Sequence, residues 1–136
     1  MRRLLPLSLA AGAAYDALFG TAVLAAPGIP AGILRLPLPD DQFYVRFIGV
    51  FLLALALIYL LPASDPDRYR GVASAAVVIR GLGALYLAAA VLGFGRPGVF
   101  LLLAAGDALF ALLHAAGLRL RPVSYNVGAA PRARRT

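Results

Sequence analysis

The chain contains no cysteine, and it also lacks lysine, glutamate and tryptophan. Without cysteine there is no disulfide, no iron–sulfur cluster and no thiolate zinc site. Without glutamate, the di-metal carboxylate centres of helical bundles have no ligand set. The single histidine, His114, cannot supply both axial ligands of a bis-His haem. No phosphate-binding loop, nucleophile elbow or metalloprotease helix is present. Ser8, Ser64, Ser74 and Ser124 have no base beside them in sequence. No catalytic residue and no metal ligand is therefore assigned, and the residues point away from an enzyme rather than to one.

Charge is scarce as well. Charged residues make up 14% of the 136 and hydrophobic residues 62%, with a mean hydropathy of +0.85. Soluble domains carry about a quarter charged residues, so this balance cannot cover a soluble surface and fits a chain whose outer surface meets lipid. All 13 basic residues are arginine and all 6 acidic residues aspartate. The excess of Ala, Gly, Leu, Pro and Arg points to a GC-rich bacterial genome, and so to a bacterial inner membrane. A net charge of +7 would suit nucleic acid. Most arginines flank apolar runs, however, where positive charge sets orientation and meets anionic headgroups. No nucleic-acid partner is expected.

A bilayer core takes about 20 apolar residues in helical form. Four stretches meet that need, at about 4–26, 43–61, 71–94 and 99–118. Pro27 and Pro30 punctuate the first, Pro62 the second, and the sequence Gly95-Arg96-Pro97-Gly98 turns the third into the fourth. The expected fold is all-α, a four-helix transmembrane bundle over 1–121 followed by a basic tail, 122–136. A cleaved signal peptide at the start is disfavoured by Asp16 inside the first apolar run. Nine arginines (Arg2, Arg3, Arg68, Arg70, Arg119, Arg121, Arg132, Arg134, Arg135) lie on one side of the spans, and Arg35 and Arg96 on the other. Positive-inside bias then puts both termini in the cytoplasm. The long connection from Pro27 to Gln42 has an apolar centre, Ala31 to Leu36, bracketed by prolines, and predicts a short interfacial turn.

The intramembrane charges are the candidate site. Helices one and four share Asp-Ala-Leu-Phe, at Asp16 and Asp107. Helices two and three share R-x-x-G-x-x-x-L-A-x-A, starting at Arg46 and Arg80. Asp16, Asp107 and Arg80 each lie about ten residues from a helix end, roughly 15 Å deep, and Arg46 lies near the outer end of its helix. Mid-bilayer charges are costly and normally pair and turn inward. An ionic cluster of Arg80 with Asp107, Asp16 or both is expected, and with Arg46 the four charges cancel. His114 shares the Asp107 face two turns on. Ser8, Gly12, Asp16 and Gly20 recur every four residues, a small-residue face suited to close packing in lipid, and Gly49 and Gly83 follow their arginines on the same face. Tyr44, Tyr59 and Tyr69 fit aromatic belts, while Tyr15 and Tyr86 lie deeper and need partners.

Tyr15-Asp16, Gly20 and Pro27, then Leu36-Pro37-Leu38-Pro39-Asp40, Tyr44-x-Arg46-x-x-Gly49, Tyr59, Asp65-Pro66, Arg80-x-x-Gly83 and Asp107 together resemble the DoxX-like group of small bacterial four-helix membrane proteins. The resemblance spans nearly the whole chain and implies a four-helix bundle. Some members are associated with quinone-linked sulfur oxidation, and the resemblance carries over no catalytic residue.

Three functions compete on these grounds. The first is a non-catalytic subunit that packs against itself or a larger membrane protein, with the Asp/Arg cluster fixing helix packing. The second is a carrier or enzyme that holds a quinone or lipid at Arg80 and Asp107. The third is a proton or ion path through Asp16, Arg80, Asp107 and His114. No cofactor is expected beyond such a lipid or quinone.

Overall fold

The computed structural model describes residues 3–121, so the basic tail expected over 122–136 lies outside the described residues. Those residues are all helical, without strands: α1 Leu4–Ala25, α2 Gly28–Ile33, α3 Phe43–Ser64, α4 Arg70–Phe94 and α5 Phe100–Arg119. α1, α3, α4 and α5 are each long and apolar enough to cross a membrane.

Two boundaries differ from the sequence reading. Pro62 lies inside α3 rather than closing it. Proline forfeits one backbone donor and crowds the preceding turn, but here it sits two residues from the helix end. Asp65 N–H still closes on the Leu61 carbonyl at 3.1 Å, and the buried ring packs into the bundle. The proline-bracketed connection forms a true helix, α2, three residues ahead of the expected turn. α2 ends through Arg35, whose φ of 52° is left-handed, a place usually left to glycine. Leu36 N–H reaches back to the Ala31 carbonyl at 2.9 Å there. The α4–α5 turn follows the predicted punctuation. Gly95 takes φ 63°, and Arg96 N–H returns to the Ala90 carbonyl at 3.1 Å.

The helices pack as two antiparallel pairs, α1 with α3 and α4 with α5, joined mainly through α1 and α5. In the first pair, Gly20 faces Gly49. A Cβ on Gly49 would stand 2.8 Å from the Gly20 carbonyl oxygen and the Leu24 nitrogen, so only glycine permits this crossing. At the arginine-rich end, Gly117 of α5 meets Leu5 of α1 as closely, with a Cβ 2.8 Å from the Leu5 Cα. The apolar core also lies toward that end, built from Leu5, Leu9, Ala13, Tyr59, Ala73 and Ala76.

Arginines close two helix ends. A helix's last carbonyls lack intrahelical donors. Arg70, at the start of α4, donates from Nη1 to the Arg121 carbonyl at 2.6 Å and from Nη2 to the Leu118 carbonyl at 3.0 Å. Arg46 of α3 donates from Nη1 to the Leu24 carbonyl of α1 at 2.5 Å. Much apolar surface stays uncovered. In the most apolar window of α4 only 11% of residues are buried within the chain, and Leu82, Leu85 and Leu92 point outward.

Candidate functional site

The small-residue face of α1 points wholly inward: Ser8, Gly12, Asp16 and Gly20 are all buried. Ser8, Gly12 and Asp16 meet the polar side chains of the other helices midway along the bundle. Arg80 reaches this face from α4 because Ala73 and Ala76, two turns and one turn before it, are small and buried. Its guanidinium spans two carboxylates, with Nη2 on Asp16 Oδ2 at 2.5 Å and Nη1 on Asp107 Oδ1 at 2.6 Å. Nη2 also lies 3.3 Å from the Gly12 carbonyl. Charge-assisted bonds of this kind are the strong ones. They tie α1, α4 and α5 together at a single point. Asp16 is 0% exposed and Arg80 6%, while Asp107 keeps 20%. Gly83 makes room for Asp107, since a Cβ there would stand 2.8 Å from Asp107 Oδ2.

Aromatic rings wrap the guanidinium. Arg80 Cζ lies 5.3 Å from the Tyr59 ring centre, 5.2 Å from Phe110 and 5.8 Å from Tyr15. The quadrupole of each ring favours the cation within about 6 Å, so the positive charge is held by carboxylates in its plane and by π faces around it.

His114 stands beside the cluster. Ser8 donates its hydroxyl proton to the Leu5 carbonyl at 3.0 Å. Its Oγ therefore accepts from His114 Nδ1, 3.0 Å away. That network puts the neutral ring's proton on Nδ1 and leaves Nε2 as a lone-pair acceptor. Nε2 and Arg80 Nη2 each lie 3.6 Å from the point a Gly12 Cβ would occupy. His114 Nε2, Asp16 Oδ1, Tyr59 Oη and Arg80 Nε are all buried without a hydrogen-bond partner.

Of the residues singled out in the sequence, the structure brings together Asp16, Arg80, Asp107 and His114, and it sets Arg46 apart. The cancelling set of four charges is thus corrected: Arg46 caps α1 instead. The Gly20–Gly49 crossing dictates this. Asp16 lies one turn to one side of it, and Arg46 one turn to the other, opposite Leu24. Tyr86 does not join the cluster either, being 74% exposed. Tyr59 was assigned to an aromatic belt, but it is 1% exposed and forms one wall of the site. Its spacing of ten from Gly49 and three from Ala56 puts it on the inward face of α3, a signal the belt reading passed over. Phe110, three residues after Asp107, was missed in the same way.

Among the described residues the surface carries apolar grooves, three of which are well formed. One, of about 430 Å³, runs between α1 and α3 along Ala10, Ala13, Ala14 and Ala17, facing Leu53, Ala56, Leu57 and Leu60. A second, of about 340 Å³, runs from Tyr15 past Leu18 and Phe19 to Ile29 and Ile33 of α2. The third lies under Leu36 and Pro37 against Tyr86 and Phe100. Asp16, Arg80, Asp107 and His114 line none of the three. Among the described residues no group of three His, Cys, Asp or Glu side chains is placed to hold a metal ion. No protein-family model, curated protein or solved structure matches the chain.

Proposed function

We propose that this chain is a multi-pass protein of the bacterial inner membrane, with both termini cytoplasmic, acting as a non-catalytic subunit that docks a transmembrane helix of another protein molecule. The alanine-lined groove between α1 and α3 carries the reading. In lipid, helices associate by close backbone approach and van der Waals contact rather than by the hydrophobic effect, and small residues at spacings of three and four provide it. Ala10, Ala14 and Ala17 are spaced that way, with leucines rising on the α3 side as a flank. The Asp16–Arg80–Asp107 cluster then serves as an internal lock that holds the docking face in shape.

Native mass spectrometry of gently extracted protein tests this. A defined homo-oligomer or a stoichiometric protein partner is expected, lost in Ala14→Trp, which fills the groove. A monomer carrying no protein partner would overturn the reading. Orientation has its own check in this cysteine-free chain. In intact cells an impermeant thiol reagent that reaches the periplasm is expected to label Arg96→Cys and to miss Arg68→Cys. The reverse pattern would invert the topology.

A second reading rests on the Tyr15 groove. It is an apolar slot ending on a ring that packs tilted against Phe110, 5.8 Å between centres, and lies beside Arg80. A quinone or lipid tail in the slot would bring a polar head toward Arg80 and Asp107. A single lipophile retained in the same spectra, and lost on Tyr15→Ala, would favour it.

A further inference from the structure

We propose that the Asp16–Arg80–Asp107 cluster is a one-proton binding site, with the proton carried on Asp16 Oδ1. The first ground is charge. One guanidinium is bridged by two carboxylates, and with Arg46 bound to the end of α1 one negative charge is left over. Among the described residues no other cation pairs with the three. A net charge in the middle of a bundle of apolar helices is costly, and a single bound positive charge removes that cost.

The second ground is independent of charge. The buried polar atoms left without partners gather at this place and include two acceptors, Asp16 Oδ1 and His114 Nε2. Both belong to side chains 0% exposed. A buried acceptor without a donor costs about 1–3 kcal/mol, and the two donors also left unpaired here, Tyr59 Oη and Arg80 Nε, bond to neither. A proton on Asp16 Oδ1 cancels the surplus charge, and a neutral carboxyl is less costly to bury than a bare carboxylate. The proton comes from bulk water; Asp107 is the member of the cluster that keeps 20% exposure.

The lining selects a proton over a metal cation. A methyl group at Gly12 would sit in ordinary contact with Arg80 Nη2, His114 Nε2 and Phe110 Cδ1, each 3.6 Å away, so the space beside the cluster is lined by a cation and two rings rather than by oxygens. A sodium ion needs a shell of oxygens and a space free of the guanidinium, whereas a proton needs no volume. Asp16 is preferred to His114 because an imidazolium would stand beside Arg80. It is preferred to Asp107 because Asp16 is fully buried, whereas Asp107 keeps 20% exposure. The titratable and charged groups around Asp16 come from all four long helices: Tyr15 of α1, Tyr59 of α3, Arg80 of α4, and Asp107 and His114 of α5. The site holds whichever helix docks in the alanine groove.

Infrared spectroscopy of the protein in lipid nanodiscs at neutral pH is the test. A protonated-carboxyl stretch is expected that shifts in deuterium oxide and on carbon-13 aspartate labelling. It should vanish in Asp16→Asn. It should also vanish in Asp107→Asn, because the one remaining carboxylate then balances Arg80. Absence of the band in the wild type would overturn the proposal. A band seen in potassium or choline salts but abolished by sodium would make the bound charge sodium and overturn it too. Persistence of the band in Asp107→Asn would overturn the charge-balance argument. Nitrogen-15 resonances of the only histidine should show a neutral ring, and an imidazolium would move the proton to His114 and refute the Asp16 assignment. The labelling and histidine measurements use the wild-type chain, so they decide whether an aspartate rather than His114 carries a proton even if the variants do not fold.

Discussion

Arg80→Met is expected to lower the free energy of unfolding by about 3–5 kcal/mol, the range for removing one partner of a buried ion pair. Methionine keeps the length and the apolar stem but removes the bonds to Asp16 and Asp107 and the charge under Tyr59, Tyr15 and Phe110. The carboxyl pair of Asp16 and Asp107 is then left without its counterion. α1, α4 and α5 also lose the one side chain that ties them together at mid-bundle. The loss should belong to stranded charge rather than to the absent guanidinium, because apolar or neutral replacement of a whole buried ionic set is often tolerated. The triple variant Arg80→Met, Asp16→Asn, Asp107→Asn should therefore recover most of the stability. Unfolding in mixed micelles or by steric trapping in bicelles measures both. An Arg80→Met protein as stable as the wild type would show that the cluster does not hold the bundle together.

Gly49→Ala is the second large effect, at about 1–3 kcal/mol, the usual cost of forcing atoms into a packed interior. The new Cβ would lie 2.8 Å from the Gly20 oxygen and from the Leu24 nitrogen. Both are backbone atoms and cannot swing away, so α1 and α3 must separate. Separation also pulls Arg46 from the Leu24 carbonyl and opens the groove between Ala10 and Leu60. Gly81→Ala and Gly106→Ala are the controls, since nothing lies within 4 Å of a Cβ at either position. Alanine is the better helix former by up to about 1 kcal/mol, so these two should be neutral or mildly stabilising. If all three substitutions behave alike, the α1–α3 crossing is not limited by backbone contact.

The two copies of R-x-x-G show where one-dimensional reading stops. Arg46 and Arg80 stand in nearly the same local sequence, yet one closes a helix end and the other anchors two carboxylates. The difference is depth. Arg46 is three residues into α3, while Arg80 is ten into α4. Their glycines differ in the same way, with Gly49 against the backbone of Gly20 and Leu24, and Gly83 against Asp107 Oδ2. Depth is visible in the sequence once the spans are drawn. Which helix stands opposite is not, because it depends on how the helices are paired.

Four apolar helices, their approximate limits, the turn at Gly95, the inward small-residue face of α1 and the meeting of Arg80 with the aspartates were all legible in the chain. Hydropathy over twenty residues, backbone punctuation and a four-residue period are properties of single segments, and the cost of an unpaired charge in an apolar surrounding forces a partner. The tertiary structure alone decided that α1 pairs with α3 and α4 with α5, that both aspartates share one arginine, and that Arg46 closes the end of α1 at Leu24. It also decided that Tyr59 and Phe110 wall the site and that Asp16 Oδ1 and His114 Nε2 are left as bare acceptors. Each of these follows from contacts between residues far apart in the chain. Such contacts are set by which glycines let two backbones approach, and that choice can be seen only once the helices stand side by side.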